Sequence, residues 1–303
     1  MTSVTERGAS PFLAGFRLVD VEVGPGLSIR AAMGGAGPPL LLLHGHPQTH
    51  VTWRKVAPML AARLTVVAAD LRGYGDSAKP AGGENHVAYS KREMAKDQVA
   101  AMNALGFARF GVAGHDRGGR VGHRMALDHS HAVERLAVID IVPTAIMYAR
   151  TDKEFATRYF WWFFLIQPEP LPERLIAGDA EFFLKTHIEG QLKTPGATEP
   201  AAFAEYLRCY LDPATRHAIC EDYRAAATID LTHDAEDAGN RVKAPLLALW
   251  GAKGTVGELY DVLATWREKA EHVEGHALPC GHTLQEEIPE QTAQELIAFF
   301  ARR

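Results

Sequence analysis

One short segment, residues 112–120, constrains the fold of this chain more than any other. It passes from apolar residues through Gly-His-Asp-Arg-Gly-Gly into a pattern typical of a helix. Small residues around a central acid are typical of a sharp strand-to-helix turn, which exposes the central side chain at the top of an α/β sheet. That residue is Asp116. Because a carboxylate nucleophile attacks carbon and forms an ester, the segment predicts chemistry other than ordinary acyl transfer.

Two arginines, Arg117 and Arg120, fall in the first turn of the predicted helix. Unpaired N–H groups and the helix dipole already make this end positive, and a cation there costs ~0.3–1 kcal/mol unless an anion compensates. One interpretation is that Asp70, Asp76 or another acid of the chain supplies the charge. The other is a substrate carboxylate, because a guanidinium presents a planar donor set that matches one.

Apolar runs alternate with helical patterns along most of the 303 residues. Continuous apolar runs are typical of parallel strands buried on both faces, and their alternation with helices predicts a doubly wound, mainly parallel α/β sheet. Aromatic residues, helix formers and prolines replace this rhythm between residues 143 and 244. We therefore predict an α/β core of residues 1–143 and 245–303 and an inserted helical cap of residues 144–244. The predicted strands are residues 16–23, 27–33, 40–43, 65–69, 110–113, 136–142, 246–250 and 272–278, and helices are predicted at 89–105 and 291–301.

Composition excludes several classes of protein. A formal net charge of −5 without runs of like charge offers no basic face for nucleic acid. No segment approaches the ~20 apolar residues that span a bilayer, and residues 1–10 lack the apolar core of a secretory signal. Three widely spaced cysteines fit a reducing compartment, so we expect a cytoplasmic protein. Among them Cys280 is interpreted as small apolar filler.

A carboxylate nucleophile at such a turn needs a base and an orienting acid, normally in the chain order nucleophile, acid, histidine. His282 follows the last predicted strand, where the base is expected. Asp140 lies within an apolar strand pattern, where a lone carboxylate is costly unless a donor such as the ring N–H of His282 satisfies it. The segment after residues 246–250 contains no acid before Glu258, so we choose Asp140 as the orienting acid.

The turn after the strand at residues 40–43 reads His44-Gly45-His46-Pro47. The backbone N–H groups of His46 and Arg117 are the predicted donors for an oxyanion. Two histidines at this spacing also occur in metal sites, but the usual partner acids are not nearby in the sequence. We therefore predict neither a metal nor another cofactor.

These motifs together resemble the α/β-hydrolase superfamily over nearly the whole chain. They are His44-Gly45-x-Pro47, Asp-x-Arg-Gly-x-Gly-x-Ser at residues 70–77, the turn centred on Asp116, and Gly281-His282. Within this superfamily, residues 114–120, residues 140–144 and Gln167-Pro168 resemble the fluoroacetate (haloacetate) dehalogenases. Epoxide hydrolases and haloalkane dehalogenases usually have Trp where this chain has Arg117.

The resemblance implies a mechanism and a substrate. Arg117 and Arg120 would hold the carboxylate of a haloacetate while Asp116 displaces the halide, leaving a glycolyl ester. His282, oriented by Asp140, would then activate water to release glycolate. The partner implied is a small anionic haloacid, and the resemblance also implies a homodimer.

The resemblance places the halide donors in the cap at Trp161, Trp162 and Tyr223. Trp161 stands where the family has His, and an indole is bulkier and cannot take a charge. Because fluoride is a poor leaving group that depends on donors, this difference favours chloroacetate or bromoacetate over fluoroacetate. The alternative is that Trp161 only packs the cap.

Two other functions remain open at this point. An epoxide hydrolase would use the same Asp116, with cap tyrosines protonating the opening ring, although two adjacent arginines count against a neutral substrate. A non-catalytic receptor for a small carboxylate would need the arginines but not His282 with Asp140. The tyrosines available for the epoxide reading are Tyr159, Tyr206, Tyr210 and Tyr223.

Overall fold

The computed structural model describes residues 3–302. The strands among them form one sheet, in the spatial order first, second, third, fifth, fourth and then sixth to ninth. In chain order they are β1 (Val4–Ala9), β2 (Arg17–Gly24), β3 (Leu27–Gly34), β4 (Pro39–Leu43), β5 (Thr65–Ala69), β6 (Phe110–His115), β7 (Val133–Ile139), β8 (Leu246–Gly251) and β9 (Val273–Leu278).

The sheet is mainly parallel, as the sequence predicts. The strands from β5 through β4 and β6 to β9 pair in parallel, whereas β1, β2 and β3 form an antiparallel edge beside β5. Strand β1 is the element that sequence patterning missed. All six of its residues are exposed, so it lacks the apolar alternation that indicates a half-buried strand.

Helices cover both faces of the sheet, which explains the continuous apolar runs. Leu41 and Leu43 of β4 pack in the same cluster as residues from the helices that precede and follow β6. Leu40 and Leu42 point to the other face and pack with the C-terminal helix. The helices that precede β7 are α1 (Ala57–Leu60), α2 (Lys91–Ala104) and α3 (Arg117–Asp128), with short 3-10 helices at His50–Trp53 and Glu84–Tyr89. The helices that follow β8 are α12 (Thr255–Leu259), α13 (Val262–Arg267), α14 (Leu284–Glu287) and α15 (Pro289–Phe300).

The chain between β7 and β8 is helical. Hydrogen bonds fix it to the core: Tyr206 Oη donates to Glu286 of α14 at 2.6 Å, and Arg54 Nε donates to Glu199 at 3.1 Å. No helix within residues 3–302 combines the length and the apolar character needed to cross a bilayer. The division into a core and a cap of residues 144–244 stays a prediction. The helices of this region are α4 (Thr144–Ala149), α5 (Lys153–Arg158), α6 (Trp161–Phe164), α7 (Leu171–Gly178), α8 (Ala180–Gln191), α9 (Pro200–Tyr210), α10 (Pro213–Ala227) and α11 (Ile229–Glu236).

Candidate active site

Asp116 occupies a strained turn between β6 and α3. Its backbone angles are φ 45° and ψ −114°, a conformation that costs a non-glycine residue about 1–3 kcal/mol. Glycines make the turn possible, because a Cβ on Gly114 would lie 2.4 Å from the carbonyl oxygen of Gly118. A Cβ on Gly118 would lie 2.5 Å from the carbonyl oxygen of His44. The small residues of the motif therefore let the backbone close tightly around a carboxylate.

The three residues predicted as a catalytic triad meet at one cavity. Asp116, Asp140 and His282 all line it. His282 Nδ1 donates to Asp140 Oδ2 at 2.6 Å, and the backbone N–H of Gly251 donates to the other oxygen of Asp140 at 2.8 Å. Asp140 follows β7 with a positive φ of 51°. The strand ends thus bring the candidate nucleophile Asp116 and His282 to the same cavity. The second ring nitrogen of His282, Nε2, does not bind Asp140.

The cavity beside Asp116 is small, and a larger one adjoins it. We call the first the inner cavity; it has a volume of about 10 Å³, enough for a single water. The second, which we call the vestibule, has a volume of about 350 Å³. Five side chains line both cavities and form the partition between them: Tyr159, Trp161, His187, Gln191 and His282.

The first predicted oxyanion donor is in position. The backbone N–H of His46 donates to Asp116 Oδ2 at 3.1 Å. Arg117, the second predicted donor, is the first residue of α3. The ring of His46 lies near Tyr223 Oη, whereas His44 Nε2 accepts from the backbone N–H of Leu71. The two histidines therefore have separate partners, and residues 3–302 contain no group of three or more His, Cys, Asp or Glu side chains placed to hold a metal ion.

Arg117 is not a free cation. Its side chain is fully buried, and its Nε and Nη2 each donate to the carboxylate of Asp222 at 2.8 Å. Asp222 is thus the acid that compensates Arg117, whereas Asp70 and Asp76, considered from the sequence, bind other groups. Arg117 Nη1 is buried without a hydrogen-bond partner among the described residues. Its contribution to a substrate clamp is limited to that one nitrogen.

Arg120 has different surroundings from Arg117. It lines the inner cavity and has no ion-pair partner within residues 3–302. Its Nη1 donates to the carbonyl oxygen of Val142 and to Thr144 Oγ1, both at 3.0 Å, and its Nε is buried without a partner. The guanidinium also stacks 4.7 Å from the ring centre of Trp162. Asp116 is the carboxylate whose charge Arg120 senses most, but no ion pair or hydrogen bond joins the two. A buried cation without direct contact to a carboxylate is costly, so this site favours an anionic ligand.

The charges around Asp116 keep it ionised. Burial raises its pKa, but the nearby positive groups, with His282 the largest contributor, lower it by more, so the pKa lies below the ordinary carboxyl value. For His282, burial lowers the pKa, but Asp140 and Asp116 raise it by more. Burial also raises the pKa of Asp140, and the hydrogen bonds from His282 and Gly251 oppose this. The site therefore holds an ionised carboxylate and a strengthened imidazole base.

The residues predicted to receive a halide lie close together. Trp161 and Trp162 line the inner cavity. Tyr223 is buried, its ring lies 6.1 Å from that of Trp162, and its hydroxyl lies 3.4 Å from His46 Nδ1. The ring of Trp161 packs 4.9 Å from that of Tyr159. Trp161 and Trp162 thus border the inner cavity, whereas Tyr223 packs against Trp162 and His46 and is not among the residues that line it.

Several residues of the site were missed from the sequence. His115 precedes Asp116, and its Nε2 donates to the carbonyl oxygen of His282 at 2.9 Å, which helps to hold the loop of the base. Asp222 precedes Tyr223, but nothing in the sequence marks it as the partner of Arg117. His187 stands alone in α8, and nothing in the sequence marks it either. Burial raises the pKa of Cys280, which agrees with its interpretation as filler.

Comparisons with known proteins show the family of this chain. A family model for the alpha/beta hydrolase fold matches residues 38–289. The chain is 45% identical to a fluoroacetate dehalogenase from Burkholderia sp, over 94% of this chain and 93% of the relative. It is 34% identical to a soluble epoxide hydrolase from Corynebacterium sp. (strain C12), over 88% of this chain and 91% of the relative.

A solved structure gives the same result for the fold. A protein from Salmonella enterica, provisionally described as an acyltransferase, superposes with a TM-score of 0.97 at 63% identity, covering 98% of both chains. The chain therefore belongs to the α/β-hydrolase superfamily and, within it, to the family of the fluoroacetate dehalogenase.

Proposed function

We propose that this protein hydrolyses the carbon–halogen bond of a haloacetate and releases glycolate and halide. The observation that carries the proposal is Arg120, a buried cation without an ion-pair partner that lines the same cavity as Asp116 and His282. A small carboxylate would supply the missing charge. The 45% identity to a fluoroacetate dehalogenase supports the same reaction class.

The first step would be displacement at carbon. Arg120, with the remaining nitrogen of Arg117, holds the substrate carboxylate. An oxygen of Asp116 attacks the adjacent carbon, the new C–O bond forms as the C–halogen bond breaks, and the halide leaves with the bonding electrons. Trp161, Trp162 and Tyr223 are proposed to surround the departing halide. The product of this step is a glycolyl ester of Asp116.

The second step would be hydrolysis of that ester. Water gives a proton to His282 Nε2 as its oxygen attacks the side-chain carbonyl carbon of Asp116. The N–H groups of His46 and Arg117 would stabilise the resulting oxyanion. Collapse breaks the ester bond, the leaving glycolyl oxygen takes the proton held by His282, and Asp116 returns to its carboxylate as the remaining proton passes to solvent and glycolate is released. No cofactor takes part in this scheme, and a homodimer and a cytoplasmic location stay predictions.

The preferred halogen follows from Trp161 in our proposal. Indole offers one N–H and cannot be protonated, so it stabilises developing fluoride less than an imidazolium would. We expect faster release of chloride and bromide than of fluoride. The test is to incubate the pure protein with fluoroacetate, chloroacetate and styrene oxide and to measure halide and diol. Absence of halide from every haloacetate contradicts the proposed function.

Epoxide hydrolysis is the second candidate, because Tyr159 lines the inner cavity and Tyr223 lies beside His46. Either hydroxyl could protonate an opening epoxide, and the identity to a soluble epoxide hydrolase supports this reading. Diol from styrene oxide without halide from any haloacetate would favour it. A neutral substrate, however, gives Arg120 no carboxylate to bind directly.

Replacing Arg120 with Met is expected to lower kcat/KM for chloroacetate by about 10–100-fold, because a hydrogen bond to a charged group is worth ~1.5–3 kcal/mol. The loss should appear mainly in KM. Arg120→Lys keeps the charge but not the planar donor set, so its kcat/KM should fall between those of the wild type and Arg120→Met. Steady-state kinetics with chloroacetate and the neutral analogue chloroacetamide provide the measurement.

Arg109→Met is the matched control, because this exposed arginine pairs with Glu134 at the far end of β6. It should leave kcat/KM unchanged for both chloroacetate and chloroacetamide. An equal loss for chloroacetate and chloroacetamide in Arg120→Met would contradict a role in binding the carboxylate.

The rate of ester hydrolysis should fall as the pH is lowered, because protonated His282 cannot accept a proton. Its pKa in the free protein lies above the ordinary value of about 6.5, since Asp140 and Asp116 favour the cation. Esterification removes the charge of Asp116 but leaves that of Asp140. Asp140→Asn should therefore move the acid limb to lower pH and reduce the plateau rate by about 10³–10⁴-fold.

Single-turnover decay of the ester across pH 5–9 measures both effects. An acid limb at the same pH in Asp140→Asn as in the wild type would show that the carboxylate of Asp140 does not raise the pKa of His282.

A further inference from the structure

His187 of α8 is a buried histidine that the proposed mechanism does not use. It lines both the inner cavity and the vestibule and is 6% exposed. Its ring lies edge-on to those of Trp161, at 4.4 Å, and His46, at 4.6 Å. It therefore stands in the partition, directly beside groups that surround the reacting atoms.

The tautomer of His187 follows from its contacts with Gln191. Gln191 Nε2 donates to the backbone carbonyl oxygen of His187 at 3.2 Å and lies 3.0 Å from His187 Nε2. The opposite amide orientation would set two oxygens against each other, so the amide nitrogen is the donor. His187 Nε2 must then be an acceptor. Because a neutral imidazole carries one N–H, its proton lies on Nδ1.

That N–H has no acceptor. His187 Nδ1 is buried and makes no hydrogen bond within the described part of the chain. Burial lowers the pKa of His187 to about 3, so the ring is neutral at neutral pH, and the charged groups it senses are His282 and Asp116. An unsatisfied buried donor costs about 1–3 kcal/mol. A site that keeps one is suited to a ligand that accepts a hydrogen bond.

The direction of the displacement indicates which part of the ligand this is. Asp116 lies directly before α3, and Arg120 lies in the first turn of that helix. His187 comes from α8, in the chain between β7 and β8. In-line attack places the leaving group opposite the attacking oxygen of Asp116, and His187 lines the same cavity from a different element, α8. Arg120 already accounts for the substrate carboxylate. The leaving group is therefore the partner available to His187.

We propose that the Nδ1–H of His187 donates a hydrogen bond to the departing halide and helps to set leaving-group preference. This inference rests on the proposed function. As the C–halogen bond breaks, negative charge grows on the halogen and the hydrogen bond strengthens. The proton stays on Nδ1 throughout, so the halide leaves as an anion. Gln191 is a positioning residue, because it holds the tautomer that presents this donor.

Three substitutions separate a donor at Nδ1 from a merely structural role. An Asn amide reaches the position of Nδ1, a Gln amide reaches that of Nε2, and Leu supplies neither donor. We expect His187→Leu to lower kcat about 10²-fold for the fluoro or chloro substrate, with a smaller effect for bromoacetate and little change in KM. His187→Asn should recover much of this loss, and His187→Gln should not. Halide release from the three haloacetates measures the pattern.

His217→Leu is the control, because it makes the same change at a partly exposed histidine of α10 that pairs with Glu173. It should leave the leaving-group order unchanged. Equal losses for all three haloacetates in His187→Leu, or an Asn variant no better than Gln, would overturn the proposal.

A binding measurement keeps this inference separate from the proposed function. Chloride and bromide titrations of the full protein, followed by its tryptophan fluorescence, to which Trp161 and Trp162 beside the cavity contribute, report halide affinity without turnover. The affinity should fall at least about 10-fold in His187→Leu and recover in His187→Asn. Halide binding with this pattern but no dehalogenation would support His187 while refuting the proposed function. Equal affinity in wild type and His187→Leu would overturn the role of His187.

Discussion

Asp116→Asn is expected to reduce halide release from chloroacetate by at least about 10⁴-fold, because a neutral amide cannot displace halide from carbon. The substitution keeps the size of the side chain at a turn that is already strained. We expect the variant to fold and to bind the substrate carboxylate through Arg120. Halide released over an extended incubation measures the effect, with the intact mass checked to exclude conversion back to aspartate.

Asp261→Asn is a matched control for this change. Asp261 is also an aspartate at the N-cap of a helix, where it accepts from the backbone N–H of Ala264 at 3.0 Å. Asparagine caps helices about as well as aspartate, so activity and the unfolding temperature should be unchanged. Undiminished halide release in Asp116→Asn would refute the carboxylate mechanism.

His282→Gln is expected to stop the reaction after one turnover. Displacement by Asp116 needs no base, whereas ester hydrolysis does, so each site should release one halide and then retain the ester. The trapped protein should gain the mass of a carboxymethyl group, located by peptide mapping at Asp116. Mass spectrometry and a halide burst equal to the site concentration are the two measurements.

The double variant Asp116→Asn/His282→Gln should show neither the burst nor the added mass. Continued turnover in His282→Gln would show that another group activates the water. An adduct on a different residue would show that the nucleophile has been wrongly assigned.

The sheet could be predicted from the sequence because burial on both faces makes the parallel strands apolar along their whole length. Leu40–Leu43 illustrate this, since alternate residues enter different cores. The same criterion cannot find β1, because an exposed edge strand is held by backbone hydrogen bonds that any side chain permits. Edge strands of this kind leave little trace in hydropathy.

The meeting of Asp116, Asp140 and His282 at one cavity could be predicted because each residue follows a recognisable strand. The partners of the arginines could not. Arg117 and Asp222 are 105 positions apart, and nothing in the periodicity of α10 distinguishes Asp222 from an acid on a solvated face. His187 raises the same difficulty, because one histidine in a helix has no spacing to interpret. Long-range pairs of single residues become visible only once the chain is folded.

The partition between the two cavities has a consequence for how this protein can change. Tyr159, Trp161, His187, Gln191 and His282 face the reacting atoms on one side and the vestibule on the other. Under the proposed mechanism, a substitution in this partition that widens the passage for a larger acid also alters the surroundings of the ester and the base. A broader substrate range reached through these five residues therefore needs compensating changes across the same partition.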